Sequence, residues 1–281
     1  MKAMTGPTDP TDPSDPTDPS DPYRRFAEAV LQETRRIALA QFRQPLDIQT
    51  KADESPVTVA DRAVEAHIRA RIAAVFPEHG IYGEEHGQQN LGAQHVWVID
   101  PIDGTRSFIS GMPLWGTLLA LLDAGRPVFG VIDAPALGER WIGTAEGCFA
   151  STGADAGAAT RCTTSGCTAL AAANVSATSP DMFSGEEYAV FDTLSRRARF
   201  RRFGGDCYSY AMLAAGHIDA VVEAGLAPYD YLAVVPVIEG AGGVVTDWKG
   251  RPLGMGSDGR VLAAATEALH REMLAHTALL A

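Results

Sequence analysis

The sequence predicts an α/β (α+β) fold in which layers of sheet and helix alternate. Short apolar or alternating runs typical of β-strands are interleaved with segments that repeat apolar residues at helical spacing. The chain has 281 residues, of which 46% are hydrophobic, which suffices for a large core in one domain or in two closely packed ones. A small, polar stretch near residues 150–165 predicts an N-terminal part over about 23–155 and a C-terminal part over about 156–281.

Residues 1–22 are predicted to form a disordered Thr/Ser-Asp-Pro tail. From residue 5 onward the repeat supplies no apolar side chain for burial and places a proline at every third position. Neither a helix nor a sheet ladder persists in such a composition. A docking arm is the alternative role, but low-complexity tails favour the disordered one.

The charge, hydropathy and cysteine content of the chain exclude some classes of binding partner and location. The formal net charge is −12 at pH 7, whereas proteins that bind nucleic acid need a basic face, so no nucleic-acid partner is expected. No apolar run is long enough to span a membrane and the N-terminus lacks a signal peptide's apolar core, so we expect a cytoplasmic protein. The four cysteines show no zinc-binding spacing and are expected to be reduced packing residues. They are Cys148, Cys162, Cys167 and Cys207.

Two helices are predicted ahead of the first sheet. The first is capped at Asp21 and ends before Pro45, and a polar loop over residues 50–58 follows it. The second starts at about Val59 and carries Asp61 in its first turn. The positive end of the helix dipole would by itself explain an acid there, so Asp61 alone does not establish a site.

The strands are predicted from short apolar runs that are bounded by turn residues. These runs cover residues 80–83, 96–99, 114–123, 127–132, 141–150, 170–175, 200–203, 221–223 and 244–246. Further helices are predicted at about 188–197 and 207–215, and another from a cap at Asp230 through Glu239. Pro236 lies inside the last of these, and we expect it to kink that helix.

The most informative stretch is Val96–Thr105, where four apolar residues are followed abruptly by the sequence Asp-Pro-Ile-Asp-Gly-Thr. This pattern indicates a buried strand that ends at a site. The proline fixes one φ angle and the glycine permits close backbone approach, so we expect Asp100 and Asp103 to lie together with the Ile102 carbonyl between them. Oxygen ligands gathered at one point favour a hard cation. A solvated turn is the alternative.

Two further acids occupy comparable positions. Glu84 follows a short strand between glycines, where paired acids on a surface turn are the alternative explanation, and Asp230 lies at a helix start. Together with Asp100 and Asp103 they would repel one another strongly without cations. Two Mg²⁺ ions would balance four carboxylates and use the oxygen ligands that magnesium prefers, whereas zinc favours histidine and cysteine. Such a two-metal site suits in-line displacement at phosphorus.

Five segments, in order, resemble the inositol monophosphatase superfamily. They are Lys51-x-Asp53-x-Ser55-Pro56-Val57-Thr58-x-x-Asp61, Gly83-Glu84-Glu85, Asp100-Pro101-Ile102-Asp103-Gly104-Thr105, Tyr229-Asp230-Tyr231-x-Ala233 and Glu239-Gly240-Ala241-Gly242-Gly243. The third segment is highly specific, and the match extends over about residues 23–270. The resemblance implies a layered αβαβα sugar-phosphatase fold, a homodimer, and an enzyme that acts on a small phosphorylated metabolite.

The resemblance also implies a set of metal ligands. Glu84, Asp100 and the Ile102 carbonyl would hold one Mg²⁺, while Asp100, Asp103 and Asp230 would hold a second. Glu84 would share a third ion where one is bound. Mn²⁺ is the expected substitute for Mg²⁺ at these ligands.

Catalytic and phosphate-binding roles follow from the same resemblance. Thr105, hydrogen-bonded to Asp61, would help Glu84 to position and deprotonate the attacking water. The backbone N–H groups of Gly104 and Thr105 would cradle the phosphate. Tyr229 departs from the family pattern because many members carry Trp before the metal-binding Asp, so the pocket wall is expected to differ.

The stretch Arg202–Tyr210 distinguishes branches of the superfamily. Inositol phosphatases generally have small or hydroxyl residues there, whereas the Asp-Cys-Tyr run that begins at Asp206 resembles the branch that hydrolyses L-histidinol phosphate. By position, Gly204, Asp206 and Glu223 match residues that line the leaving-group pocket, and carboxylates there suit the ammonium and imidazole of histidinol. A helix N-cap is the structural alternative for Asp206.

The sequence therefore predicts a magnesium-dependent phosphate monoester hydrolase, with histidinol-phosphate phosphatase of histidine biosynthesis as the leading function. An inositol-1-monophosphatase or another small sugar or nucleotide phosphatase of the superfamily is the first alternative. The second is a non-catalytic binding protein on the same fold. The intact acids argue against that second alternative, because a decayed site would have lost one of them.

Overall fold

The computed structural model describes residues 21–45, 49–50, 56–153 and 159–277. The tail predicted over residues 1–22 lies outside the described residues except for its last two, and so does the part of the polar loop at 51–55.

Helices and runs of strands are interleaved along the described chain. The helices are α1 Pro22–Gln41, α2 Val59–Val75, α3 Thr105–Ile109, α4 Gly185–Ser195, α5 Asp206–Ala214, α6 Pro228–Tyr231, α7 Val234–Gly240 and α8 Glu267–Thr277. The strands are β1 Gln49–Thr50, β2 Pro56–Val57, β3 Gly80–Gly83, β4 Gly87–Gln89, β5 His95–Asp103, β6 Gly116–Asp123, β7 Arg126–Ala134, β8 Glu139–Thr144, β9 Gly147–Thr152, β10 Thr160–Arg161, β11 Asn174–Ala177, β12 Phe200–Phe203, β13 Ala220–Glu223, β14 Val244–Thr246 and β15 Val261–Ala264.

The strands form two principal sheets and one short pair, β1 with β2. The larger sheet has eight strands in the order β10-β9-β8-β7-β6-β5-β3-β4, and the smaller has five in the order β12-β11-β13-β15-β14. In the larger sheet β3 and β5 are parallel and all other neighbours antiparallel. In the smaller sheet β11 runs parallel to both β12 and β13.

Five layers stack in the order helix, sheet, helix, sheet, helix. Helices α1 and α2 share a core with one face of the eight-stranded sheet. Helices α5, α6 and α7 fill the space between that sheet and one face of the five-stranded sheet. Helices α4 and α8 cover the remaining face of the five-stranded sheet. The layered α/β fold predicted from the sequence is confirmed, while the division of the chain near residue 155 stays a prediction.

Successive side chains of β5 pack into two different cores, one on each face of the larger sheet. Trp97 and Ile99 pack with α1 and α2, whereas Val96 and Val98 pack on the side of α5 and α7. Successive strand residues point to opposite faces, so a strand that is buried on both faces has a continuous apolar sequence. This is the physical reason for the four apolar residues that precede Asp100.

Side-chain caps fix the starts of the first two helices where the sequence predicts them. Asp21 Oδ1 accepts the backbone N–H of Tyr23 at 2.9 Å, and Pro22 occupies the first helical position. At the start of α2, Thr58 and Asp61 form a reciprocal capping box. Both helix starts are confirmed.

Two predicted elements are wrong in detail. The strand predicted over 170–175 begins as a 3₁₀ turn, and β11 starts only at Asn174. The helix predicted from Asp230 through Glu239 is two helices, α6 and α7. Pro236 is the third residue of α7, where backbone N–H groups have no partner within the helix, so its missing donor causes no kink there.

Three of the four cysteines are buried as expected, namely Cys148, Cys162 and Cys207, and all four are free thiols. Among the described residues, no helix combines the length and apolar character needed to cross a membrane.

A buried group of three charges ties α1 to the larger sheet. Asp133 on β7 is fully buried and lies between two guanidinium groups, at 2.7 Å from Arg35 Nη2 of α1 and at 2.6 Å from Arg140 Nε of β8. Arg35 Nη2 also donates to the Glu139 carbonyl at 2.8 Å. Removal of the carboxylate charge would leave two buried cations without a counter-ion.

We therefore predict that Asp133→Asn lowers the free energy of unfolding by about 3–5 kcal/mol. Urea denaturation of both proteins measures the difference. Asp258→Asn is the control, because Asp258 pairs with Arg260 at 3.4 Å on the surface, and this pair should contribute less than about 1 kcal/mol. A similar small effect for both variants would contradict a structural role for the buried triad.

Candidate active site

Strand β5 ends in an irregularity that gathers two acids. Its pairing with β6 is regular as far as Asp100, which lies opposite Leu118, and resumes only at Asp103 opposite Gly116. Directly after Asp103, Gly104 has a φ of +83°, in the left-handed region that favours glycine, and turns the chain into α3. The strand thus extends four residues beyond the predicted apolar run and carries both acids.

Three acids from different elements meet at this point. Asp100, Asp103 and Asp230 each offer a carboxylate oxygen, and these oxygens lie within 4.8 Å of one another. Backbone donors hold two of the three: Cys207 N–H donates to Asp103 Oδ2 at 2.5 Å, and Ala227 N–H donates to Asp230 Oδ2 at 2.7 Å. Helices α5 and α6 therefore bring the C-terminal half of the chain against the end of β5.

The surroundings of the cluster raise the pKa of all three carboxyls when no cation is bound. Burial, followed by the charges of neighbouring acids, raises the pKa of Asp100 and of Asp103 well above the usual range. Burial likewise raises the pKa of Asp230 to about 7. Asp100 Oδ1 is buried without a hydrogen-bond partner. Closely spaced oxygen ligands, one of them unpartnered, fit a hard divalent cation.

Glu84 lies at the edge of this cluster. It follows β3, whose last residue Gly83 is in register with Ile99, and its backbone N–H donates to the Ile99 carbonyl at 3.2 Å. The Glu84 charge contributes to the raised pKa of Asp100 and of Asp230. The carboxylate is thus an electrostatic neighbour of the three acids, although their 4.8 Å group does not include it.

Glu65 of α2 fixes the turn that carries Glu84. Its fully buried carboxylate accepts the backbone N–H groups of Glu85 at 2.6 Å and of His86 at 3.1 Å. A side chain at Gly83 would collide with it, since a Cβ there would lie 2.0 Å from Glu65 Oε1. Glu65 was not among the residues predicted to belong to the site. The sequence feature that could have identified it is an acid on the apolar face of α2, four residues after Asp61.

Thr105 and Asp61 have other partners than the expected hydrogen bond to one another. Thr105 Oγ1 donates to the Ile102 carbonyl at 3.0 Å, three residues earlier in the chain. Asp61 Oδ2 accepts the Thr58 backbone N–H at 2.8 Å in the capping box, while the buried Asp61 Oδ1 has no hydrogen-bond partner. Ile102 lies near the end of β5, between Asp100 and Asp103, and the role of its carbonyl as a metal ligand stays a prediction.

A cavity of 140 Å³ adjoins the acid cluster. Asp103 and Asp230 line one part of it, and Asp206 and Glu223 also line it. Two apolar side chains and three further polar residues complete the lining, and these are Met182, Leu226, Thr178, Cys207 and Tyr210. The structure therefore brings two of the predicted metal ligands, Asp103 and Asp230, and two of the predicted substrate-binding residues, Asp206 and Glu223, to one cavity.

Asp206 is held in a strained conformation beside Gly104. Its φ is +45°, after positive φ values at Gly204 and Gly205, and its Oδ2 accepts the Ser107 hydroxyl at 2.9 Å. A Cβ at Gly104 would lie 3.0 Å from the Asp206 carboxylate, so glycine is needed there for space as well as for φ. The N-cap of α5 is Gly205 without a side-chain cap, so the helix-cap explanation of Asp206 is wrong.

Gly204 itself does not belong to the cavity lining. Its backbone N–H donates to the Thr178 carbonyl at 2.9 Å, and its own carbonyl accepts Arg202 Nη1 at 3.1 Å. Tyr229, the departure from the family pattern, packs against Tyr82 of β3 with ring centroids 5.8 Å apart. An aromatic pair thus flanks Asp230 and the turn at Glu84.

A sequence model of the inositol monophosphatase family matches residues 20–279. The chain belongs to the inositol monophosphatase family. Because this is a family of phosphatases, the predicted reaction class, phosphate monoester hydrolysis, is supported. Family membership leaves the substrate open.

Three comparisons illustrate the similarity. Bifunctional phosphatase IMPL2, chloroplastic, of Arabidopsis thaliana is 43% identical over 242 residues, which cover 83% of this chain and 68% of that protein. A histidinol-phosphatase of Chlorobaculum parvum is 38% identical over 240 residues, which cover 83% and 87%. The solved structure of an inositol monophosphatase from Zymomonas mobilis has a TM-score of 0.80 at 42% identity, covering 90% of this chain and 96% of that chain.

The raised pKa values predict that a divalent cation stabilises this protein more at neutral than at acid pH. An unfolded Asp titrates near its ordinary pKa of about 3.9, whereas Asp230 titrates at about 7 in the folded, metal-free chain. Between these two pKa values the folded state binds more protons than the unfolded state. The contribution of Asp230 to the free energy of unfolding therefore falls as pH rises from about 4 to about 7. Melting temperatures with chelator should decline over this range relative to those with Mg²⁺.

Asp230→Asn provides the control, because an amide at this position cannot titrate. The difference in melting temperature between the protein with chelator and the protein with Mg²⁺ should widen with pH in the wild type and widen less in the variant. A gap that is independent of pH in the wild type would contradict the assignment of the cluster as a cation site.

Proposed function

We propose that the protein is a magnesium-dependent phosphate monoester hydrolase that acts on L-histidinol phosphate and releases L-histidinol and phosphate. The observation that carries the proposal is the 140 Å³ cavity, which two acids of the cluster, Asp103 and Asp230, line together with two more carboxylates, Asp206 and Glu223. Among the described residues, neither of these two acids forms an ion pair. A substrate with a phosphate at one end and a cation at the other complements this arrangement.

The acid cluster would hold the metal ions. Asp100, Asp103 and Asp230 offer carboxylate oxygens within 4.8 Å of one another, and we propose that Glu84 and the Ile102 carbonyl complete the ligands of two Mg²⁺ ions. The oxygen-only donor set fits Mg²⁺ or Mn²⁺ better than zinc. Bound there, the ions would activate water and stabilise the leaving oxygen in an in-line displacement.

The chain's own groups would orient the reactants. Glu84, on a turn held by Glu65, would accept the proton of the attacking water, and the Thr105 hydroxyl would help to place that water. Asp61, with one buried oxygen free of hydrogen bonds, would support this arrangement. The glycine at 104 leaves the backbone accessible beside the cluster, so we propose that its N–H and that of Thr105 contact the phosphate.

The leaving group would be recognised by charge. Histidinol carries an ammonium group and an imidazole, whereas inositol is neutral and needs only hydrogen-bond partners. The Asp206 carboxylate, held by the Ser107 hydroxyl, and the buried Glu223 carboxylate would each accept a charge-assisted hydrogen bond. Gly204 would act through the conformation of the loop that presents Asp206.

The relatives support both the leading substrate and its first alternative. The Chlorobaculum parvum protein is a histidinol-phosphatase at 38% identity, while the Zymomonas mobilis structure is of an inositol monophosphatase at 42% identity. An inositol phosphate or a related small ester is therefore the second candidate. The homodimer and the cytoplasmic location that the sequence suggested stay predictions.

A test of the metal assignment is Asp103→Asn, which preserves size but removes one charge from the cluster. We expect turnover to fall by several orders of magnitude, and we expect chelator to abolish the activity of the wild-type protein. Initial rates on histidinol phosphate at saturating Mg²⁺ measure both effects. Near-normal turnover by a folded variant would show that Asp103 is not a ligand.

A substrate panel tests the leaving-group assignment. The wild-type protein should have a higher kcat/KM for histidinol phosphate than for myo-inositol 1-phosphate. Asp206→Asn should lose at least about tenfold for histidinol phosphate, as expected for one charge-assisted hydrogen bond, and less for the neutral ester. Equal losses for both esters would assign Asp206 a purely structural role.

A further inference from the structure

Glu223 is a buried carboxylate that is held by neutral donors alone. It lies at the end of β13 and is 2% exposed, and it forms no ion pair within the described part of the chain. The Thr178 backbone N–H donates to its Oε1 at 2.8 Å, and the Tyr210 hydroxyl donates to its Oε2 at 2.8 Å. A carboxylate has about four acceptor sites, so each oxygen retains one for a ligand in the cavity.

Tyr210 is well placed to fix this carboxylate. Its side chain is 2% exposed and belongs to the core between the two sheets, so the ring has little freedom to move. It lies on α5 four residues after Asp206, and residues at this spacing share one face of a helix. The same helix therefore carries Asp206 and the hydroxyl that holds Glu223.

The chemistry of the donor matters as much as its position. A lysine or arginine in place of Tyr210 would hold the carboxylate but would also cancel its charge. A phenol orients the carboxylate and leaves the negative charge uncompensated. The buried charge of Glu223 is then available to a cation that enters with the substrate.

We propose that Tyr210 is a positioning residue that fixes the Glu223 carboxylate in the cavity it shares with Asp206, so that the pair receives a cationic leaving group. The substrate part of this inference rests on the proposed function. The positioning role of Tyr210 rests on the two hydrogen bonds to Glu223 and on the close packing of the Tyr210 ring in the core.

Tyr210→Phe removes the hydroxyl and keeps the ring. We expect the ratio of kcat/KM for histidinol phosphate to kcat/KM for myo-inositol 1-phosphate to fall about tenfold, mainly through a higher KM for histidinol phosphate. Tyr208→Phe is the matched control on the same helix, because the Tyr208 hydroxyl donates to Glu139 Oε2 at 2.8 Å, outside the cavity lining. This control should keep the wild-type ratio.

A double-mutant cycle shows whether Tyr210 acts through Glu223. Glu223→Gln keeps the size of the side chain and removes its charge, and the double variant with Tyr210→Phe should be no worse than Glu223→Gln alone. Losses that multiply in the double variant would overturn the proposal. Melting temperatures of all variants separate this outcome from a general loss of folded protein.

Failure of this inference can be told apart from failure of the proposed function. A wild-type protein that prefers the neutral ester would overturn the proposed substrate and, with it, the cationic ligand assigned to Glu223. A wild type that prefers histidinol phosphate, together with a Tyr210→Phe variant that keeps the wild-type ratio, would overturn the role of Tyr210 alone.

Discussion

The crowding of like charges at the end of β5 is the constraint on which the rest of the structure depends. Asp100, Asp103 and Asp230 offer oxygens within 4.8 Å of one another in a largely buried place, and ionised carboxylates cannot share such a place without cations or protons. Backbone donors from α5 and from the start of α6 hold two of them. The same contacts join the end of β5 to elements from the C-terminal half of the chain, so the fold is built around the cluster.

Acids are buried in this protein in two chemically different ways. Asp133 lies between Arg35 and Arg140, so its charge is balanced within the chain and only stabilises the packing of α1. Asp206 and Glu223 have hydroxyl and backbone donors instead, which orient a carboxylate without cancelling its charge. The second arrangement costs stability unless a ligand brings the opposite charge, and together with their place in the cavity lining it makes Asp206 and Glu223 candidate binding acids.

The features that could be predicted correctly are those that depend on neighbouring residues. Caps and alternation involve neighbouring residues, so the starts of α1 and α2 and the buried strand before Asp100 could be read directly from the sequence. The expected kink at Pro236 was wrong because the chain restarts as a new helix at Val234, and this places the proline in a first turn. Nothing in the local sequence marks the start of a new helix at Val234. This new start allows α7 to pack against the larger sheet.

The sequence by itself determined the layered α/β class, the caps, the buried strand and the chemical nature of the acid cluster, because periodicity and ligand type belong to short segments. The hydrogen bond from Thr105 to Ile102 is a local contact, but only the tertiary structure decided that Ser107 rather than a helix cap holds Asp206, and that Tyr210 donates to Glu223. The last two contacts join residues 99 and 13 positions apart. They exist because α5 packs between the two sheets, and such packing is a property of the whole chain.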